Sequence, residues 1–543
     1  MNKQVTAKNA RTYMEEGNRL KEEGKLEDAI ICHRQAIEIN PKLFRSYYEL
    51  GNLLQQQKKW QEAIAFYHQA IEINSNSANP YLQLGLIYLQ QEKVIDASQY
   101  FRQAIQLNPD LFRPYLELGN IYQQQGKNQE SIDYFREAIK LKPDLFRAYY
   151  QLTKLLTKQE RIEEAINYYR QAIAVKPDLF RAYHELGNIY LRQGNLDEAI
   201  TCYLQAITIN PGLEPVYYHF WWLDIPEQLR QQVISGCQQA LKLTKSHSSI
   251  SLIKTTLGNL FTQEKKLDQA INYYQSAIHT QTRLSHPELV DNHWDVNHNR
   301  EPDFFVIGGM KCGSTALYRY LCQHPRVLPP LLKEIHFFDE HYEQGIDWYL
   351  AHFPSINSEQ PFLSGEATPC LGAPNVWQKI AHFFPQIKLL VLLRNPVDRA
   401  YSHYHHIARR YGVNHEFEEA ILADLTNQQL RQRMLEDANA YKEVKSSYIS
   451  LGLYIYWLQE WLKFFPPQQL LILNSDDLKN NTAQTMEQVY DFLGLPHHQL
   501  PHYAKENSGS YLPISDSLHQ QLSEYYQPHN QKLETFLGRK FAW

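Results

Sequence analysis

From residue 10 onward, small, aromatic and polar positions recur on a period of 34 residues. Glycine stands at Gly17, Gly51, Gly85, Gly119 and Gly187, with Thr153 filling one slot. Alanine recurs at Ala29, Ala63, Ala97, Ala165 and Ala199, with Ser131 once in its place, and again at Ala36, Ala70, Ala104, Ala138, Ala172, Ala206 and Ala240. Tyr67, Phe101, Phe135, Tyr169 and Tyr203 keep the same spacing, and Pro41, Pro109, Pro143, Pro177 and Pro211 close the units. This pattern predicts two antiparallel helices per unit. Small residues sit where the helices cross closely, aromatic rings fill the gaps, and proline ends the second helix because it lacks an N–H. Six units are clear to about residue 213. A seventh, 214–249, is degenerate and carries PVYYHFWWLDIPEQL without a glycine in the slot; an eighth, 251–284, returns three residues out of phase with Gly258, Ala270 and Ala277.

The period stops in residues 285–301, which read as a linker, and from Pro302 apolar runs alternate with helical patterns. FFVIGG, KLLVLL at 388–393 and QLLILNS at 469–475 read as strands. Helices are expected at about 314–323, 374–384, 396–410, 416–423, 452–464 and 482–493. Such alternation predicts an α/β domain with a parallel sheet over 302–543, whose ligands bind at the carboxyl ends of the strands. The fold class is therefore an all-α solenoid over 10–284 followed by a P-loop-like α/β domain.

With 543 residues, a net charge of −5 and 21% charged residues, the chain shows no bulk signature of nucleic-acid or anionic-membrane binding. Its six cysteines contain no C-x-x-C pair, which points to reduced thiols in a cytosol-like compartment. No apolar run suits a signal peptide or a membrane helix, so the expectation is a cytoplasmic protein.

The chemistry concentrates at the strand ends. FFVIGGMKCGSTAL, 304–317, is a strand, a glycine turn and a helix start. Backbone N–H groups and the positive helix end converge there, an arrangement that binds anions, and Lys311 adds a full charge. Gly308 and Gly313 keep the spacing of a nucleotide-binding loop, but Ser314 stands where the lysine that grips the β/γ-phosphates belongs. The loop therefore suits a 5′-phosphate other than that of ATP with magnesium. The second strand end reads LLRNPVDRAYSHYHHIARR. Arg394 and Ser402 are suited to clamp a second phosphate; Arg399 is expected to face elsewhere; and His403, His405 and His406 lack the acidic or cysteine partners of a metal site. Between these ends, LLKEIHFFDEHYEQGIDWY sets Glu334, His336 and Asp339 among aromatics, and apolar surroundings would raise the proton affinity of Glu334 as suits a general base.

The repeats resemble the tetratricopeptide repeat. In that pattern the groove positions here carry Arg45, Arg113, Arg147 and Arg181, with Asn52, Asn120 and Asn188, a ladder able to grip a peptide backbone or acidic side chains. The second domain resembles the sulfotransferases that use 3′-phosphoadenosine 5′-phosphosulfate, in particular the heparan sulfate N- and 3-O-sulfotransferase types. The resemblance covers about 302–512 and rests on GMKCGSTAL, KEIHFFD, GIDWY followed by FP, GEATP, LLRNPVDRAYSHY and YISLGLYIYWLQEWLKFFP. It implies that Lys311, Cys312, Gly313, Ser314 and Thr315 hold the 5′-phosphosulfate and that Arg394 and Ser402 hold the 3′-phosphate. It implies Glu334 as catalytic base, His336 beside it, His406 on the following helix, and Gly509 in a loop that closes over the cofactor. It implies no metal. Ala367 departs from the lysine that the 3-O type carries after the glutamate of GEATP. The acceptor implied is a saccharide, with a protein partner in the repeat groove; the alternatives are a protein or peptide acceptor, a P-loop nucleotide kinase or NTPase, and a non-catalytic interaction protein.

Overall fold

The computed structural model describes residues 9–295, 301–357, 362–373, 375–411, 416–426, 448–503, 514–541 and 543. The chain forms two compact units that divide between Asn210 and Pro211.

The first unit is a run of paired helices, such as Phe44–Gln56 with Trp60–Ile73 and Phe180–Arg192 with Leu196–Ile209. The recurring small slots have visible neighbours. A Cβ on Gly51 would lie 2.5 Å from the Tyr67 ring, on Gly119 2.6 Å from Phe135, and on Gly187 2.7 Å from Tyr203. In the first pair His33 takes the place of the ring, 2.8 Å from a Cβ on Gly17. Glycine here removes the one atom that would hold the two helices apart. The turn inside each pair needs a left-handed residue. Gly24, Gly126 and Gly194 supply it, whereas Lys58, Glu92 and Glu160 adopt it at φ 59°, 60° and 62° with a side chain present.

The amide ladder is engaged inside the repeats. Asn52 Oδ1 accepts the Tyr67 hydroxyl at 2.8 Å, and its amide donates to Glu49 at 3.3 Å. Asn188 accepts from Tyr203 at 2.9 Å and donates to Glu185 at 3.4 Å. Arg113 pairs with Glu117 at 2.7 Å. These asparagines thus fix the helix pairs through polar contacts of their own.

The second unit begins with helices Glu214–Trp222 and Glu227–Leu243, each packed on His247–Gln263, which forms a hairpin with Leu267–Ser285. A short helix, Pro287–His293, follows. Then comes a parallel sheet of β1 (Phe304–Val306), β2 (Gly365–Glu366), β3 (Lys388–Leu393) and β4 (Leu470–Asn474), in the order β2-β1-β3-β4. Phe304 pairs with both Gly365 and Lys388, and Leu389 pairs with Leu470. β1 and β3 are apolar because helices cover both faces of a parallel sheet. Elements outside the sequence expectation include the helix Pro287–His293 within the expected linker, the short helices Ile346–Leu350 and Ser475–Asn480, the two-residue β2, and the helix Asp516–Leu537, whose Leu522 and Tyr526 are fully buried against Val397 and Ala400. None of the six cysteines forms a disulfide. Among the described residues no helix is long and apolar enough to cross a membrane.

Candidate active site

The glycine loop leaves the carboxyl end of β1 and enters helix Ser314–Leu321. Gly308 is dictated by β3: a Cβ there would lie 2.8 Å from the Leu392 carbonyl oxygen and 2.9 Å from its nitrogen. Backbone cannot yield as a ring can. Gly313 caps the helix at φ 98°, and Lys311 holds φ 70° with a full side chain. Non-glycine residues in this region are uncommon and gather where a site is held in one shape. Cys312 is fully buried, its Sγ 3.5 Å from Tyr454 Oη, so its side chain lies beneath the loop. Tyr454 donates to the carbonyl of Arg394 at 2.9 Å, and Arg394 Nη1 donates to the carbonyl of Lys311 at 3.2 Å. The two predicted cations are thereby joined to one framework.

The electrostatics enlarge that pair to a cluster. Burial pushes the Lys311 ammonium down from its ordinary range, and the charges of Arg394, Arg409 and Lys333 push it further; Glu334 alone among its main neighbours opposes them. Three further cations thus act on Lys311 before any anion arrives. Such a site is preorganised for a ligand with more than one negative charge. Lys333 and Arg409 are not among the sequence candidates.

Lys333 links the loop to the acid. Its Nζ donates to Thr315 Oγ1 at 3.0 Å and pairs with Glu334 Oε1. Glu334 also faces His336 Nε2 at 3.6 Å, and His336 Nδ1 lies 3.0 Å from Asp339 Oδ2. The expected rise in Glu334 proton affinity is reversed. Burial does push its carboxyl up, but the hydrogen bond from His336 and the charge of Lys333 outweigh it and hold the group at about 2. Burial pushes His336 down, and its hydrogen bonds to Asp339 and Glu334 outweigh that, raising it to about 10. The aromatic neighbours were a poor guide because two charged groups stand closer. His336 sits at φ 55°, a second strained position. His336, Asp339 and Glu340 each bring one ligand atom within 4.8 Å of the others.

Beneath this loop lies Glu366 of β2, fully buried. It accepts from Ile335 N at 3.1 Å, Tyr349 Oη at 2.8 Å and Thr368 Oγ1 at 2.6 Å. Burial raises its proton affinity against these donors. The amide of Ala367 donates to the carbonyl of Lys333 at 2.8 Å, so β2 sets the backbone of the Lys333–His336 segment.

Helix Pro396–Tyr411 carries the remaining candidates. Ser402 is buried and His406 is half-buried one turn on. Arg399 is fully buried beneath the loop, with its Cδ 3.8 Å from a Cβ on Gly309, and its Nη2 donates to the carbonyl of Tyr448. It supports the loop from the core side. His403, also fully buried, is driven down to about 3 by burial and by the charges of Arg399, His406 and Lys311. Gly509 lies outside the described residues.

A strand-loop-helix turn with Lys311, Lys333 and Arg394 beside it and the Glu334 carboxylate next to Lys333 has the make-up suited to anion-dependent group transfer. Residues 301–515 match the model of the sulfotransferase domain. Residues 17–58 and 154–194 match a TPR repeat model, and 42–110, 113–145 and 180–213 match tetratricopeptide repeat models. The chain thus joins tetratricopeptide repeats to a sulfotransferase domain that resembles those of heparan sulfate N-sulfotransferases, and the kinase reading gives way to this match. The bifunctional heparan sulfate N-deacetylase/N-sulfotransferase 2 of Bos taurus is 33% identical over 208 residues, 36% of this chain and 22% of that one. The membrane-associated sulfotransferase kil1 of Dictyostelium discoideum is 26% identical over 45% of this chain and 66% of its own. A solved sulfotransferase from Alicyclobacillus acidocaldarius is 27% identical, with 45% of this chain and 98% of that chain covered at a TM-score of 0.38. The chain spans less than two thirds of the length of these curated relatives.

Proposed function

We propose that the C-terminal domain transfers a sulfuryl group from 3′-phosphoadenosine 5′-phosphosulfate to a hydroxyl or amine of a saccharide acceptor. The observation that carries this reading is the cation cluster of Lys311, Lys333, Arg394 and Arg409 around a glycine loop, inside a domain matched as a sulfotransferase. The donor set fits the group: ammonium and guanidinium charges plus the free N–H groups of a helix's first turn suit a 5′-phosphosulfate and a 3′-phosphate. Lys311 and the loop belong to the first, Arg394 and Ser402 to the second.

When bound, the donor supplies the sulfuryl group and a phosphate leaving group. Glu334 accepts the proton of the attacking hydroxyl or amine as the new bond to sulfur forms. Lys311 and Lys333 hold the charge that develops on the departing phosphate oxygen. An anion in the cradle also competes for Lys333 Nζ, which loosens its hold on Glu334 and lets the carboxylate regain basicity. His336 keeps Glu334 oriented and is itself fixed by Asp339. The names of the relatives point to a glycan acceptor, and the repeats are the natural place for a protein partner.

Calorimetric titration with 3′-phosphoadenosine 5′-phosphate tests the donor site. Binding is expected without magnesium, weakened roughly 10- to 100-fold in Lys311→Ala and in Arg394→Ala. Preference for ATP with magnesium would overturn the reading. In Glu334→Gln, nucleotide binding should persist while transfer of labelled sulfate to a glycosaminoglycan oligosaccharide falls roughly 10²- to 10⁴-fold. Unchanged turnover removes Glu334 from the role of base, and transfer to peptides alone replaces the saccharide.

A further inference from the structure

The last helical hairpin, His247–Gln263 and Leu267–Ser285, has a feature that the earlier ones lack. Its internal set is familiar: Gly258 makes room for the Tyr274 ring, which would lie 2.4 Å from a Cβ at that position, and Tyr274 donates to Asn259 at 2.7 Å. Gly51, Tyr67 and Asn52 form the same trio earlier in the chain. Four residues beyond Gly51, Gln55 accepts a second bond from Tyr67 at 2.6 Å. Four beyond Gly258 stands Thr262, and its Oγ1 accepts the indole N–H of Trp348 at 2.8 Å. A residue of the sulfotransferase domain thus bonds to a repeat position.

The contact is buried. Trp348 is 4% exposed, while Tyr274 and His352 are fully buried. The Tyr274 ring lies 4.1 Å from His352 and 5.7 Å from Trp348, centroid to centroid. On their other side these residues meet the segment that carries Glu334 and His336. Phe337 stacks on Tyr349 at 4.9 Å and faces Trp348 at 6.3 Å, and the amide of Leu331 donates to the carbonyl of His352 at 2.8 Å. Gln281 of the hairpin reaches the carbonyl of Pro330 at 3.2 Å, at the start of the same segment.

We propose that this last hairpin is a wall of the catalytic unit and that Thr262 and Tyr274 are positioning residues for the Glu334–His336 segment, acting through Trp348 and His352. The proposal rests on the assignment of Glu334 above. Lys311 and Arg394 of the nucleotide cradle are held from elsewhere, by β1, β3 and Tyr454, and only Lys333 comes from this segment, so the hairpin governs turnover more than nucleotide affinity. A movement of helix Leu267–Ser285 would alter the acid without disturbing Lys311 or Arg394.

The test uses the full chain with Thr262→Val, which keeps the shape and removes the acceptor, Thr262→Ser, which keeps it, and Trp348→Phe, which removes the donor. Amide hydrogen exchange is read over 331–342, with nucleotide affinity, kcat and its pH profile alongside. Thr262→Val and Trp348→Phe should each speed exchange in that segment roughly tenfold, because a buried donor or acceptor loses its partner. They should lower kcat and shift its pH profile, while the affinity for 3′-phosphoadenosine 5′-phosphate falls by a much smaller factor than kcat and Thr262→Ser restores all readouts. Unchanged exchange over 331–342, or a loss of protection spread evenly across the second unit, overturns the proposal. An unmodified protein that binds no nucleotide overturns the functional reading instead, and the exchange result still decides the positioning role.

Discussion

The glycines of the repeats and those of the anion loop answer to different neighbours. Gly51, Gly119 and Gly187 each face an aromatic ring from the partner helix, whereas Gly308 faces the backbone of Leu392. A ring is a side chain, and a neighbouring unit repeats the arrangement with Tyr, Phe or His. A strand backbone has no alternative shape. The repeats are therefore a set of similar, replaceable contacts, and the sheet of the second unit is a set of single contacts each made once.

Substitution should expose that difference. Gly308→Ala places a methyl against β3 and should destabilise the second unit by about 3 kcal/mol, with loss of nucleotide binding. Gly51→Ala should cost less, about 2 kcal/mol, and leave nucleotide binding intact. Urea unfolding followed by domain-specific probes checks both; equal costs would erase the distinction. The two units should also differ in the sign of their pH response at one histidine each. Burial lowers His33, in the first aromatic slot, from 6.5 to about 4, so its contribution to stability is complete above pH 6.5 and lost as pH falls toward 4. His336 is raised from 6.5 to about 10, so its contribution is complete below pH 6.5 and lost as pH rises toward 10. Melting temperatures across pH should show His33→Phe flattening the acid side and His336→Gln the alkaline side. The smallest effect belongs to the turns. Glu92→Gly relieves a left-handed residue at φ 60° and should stabilise the first unit by about 1 kcal/mol, without altering turnover.

The same contrast explains what could be read from the chain. Seven alanines in one series announce the helix pairs because a period is many observations of one contact. β1 and β3 show as apolar runs because both faces are covered. β2 is two residues long and leaves no run to find, although Glu366 between Gly365 and Ala367 marks it in retrospect. Helix Asp516–Leu537 hides behind an internal Pro528 and a mostly polar surface. In the site, Lys311 and Arg394 are legible because they stand at strand ends next to helix starts. Lys333 and Arg409 are not, since a lysine in a loop and an arginine on a helix are ordinary surface residues until the fold gathers them. The expected proton affinity of Glu334 failed for the same reason: it is set by Lys333 and His336 at short range, and sequence shows the aromatics but not the distances.

The pairing of Phe304 with Lys388, and of Leu389 with Leu470, bears on how the protein is made. Each repeat can stack on the one before it as it leaves the ribosome, whereas β1 must wait for strands synthesised long after it. Synthesis therefore finishes the hairpin bearing Thr262 and Tyr274 before Trp348 exists. The newborn sulfotransferase domain assembles against a surface already in place, and pulsed hydrogen exchange during refolding should show protection at 247–285 preceding protection at 388–393.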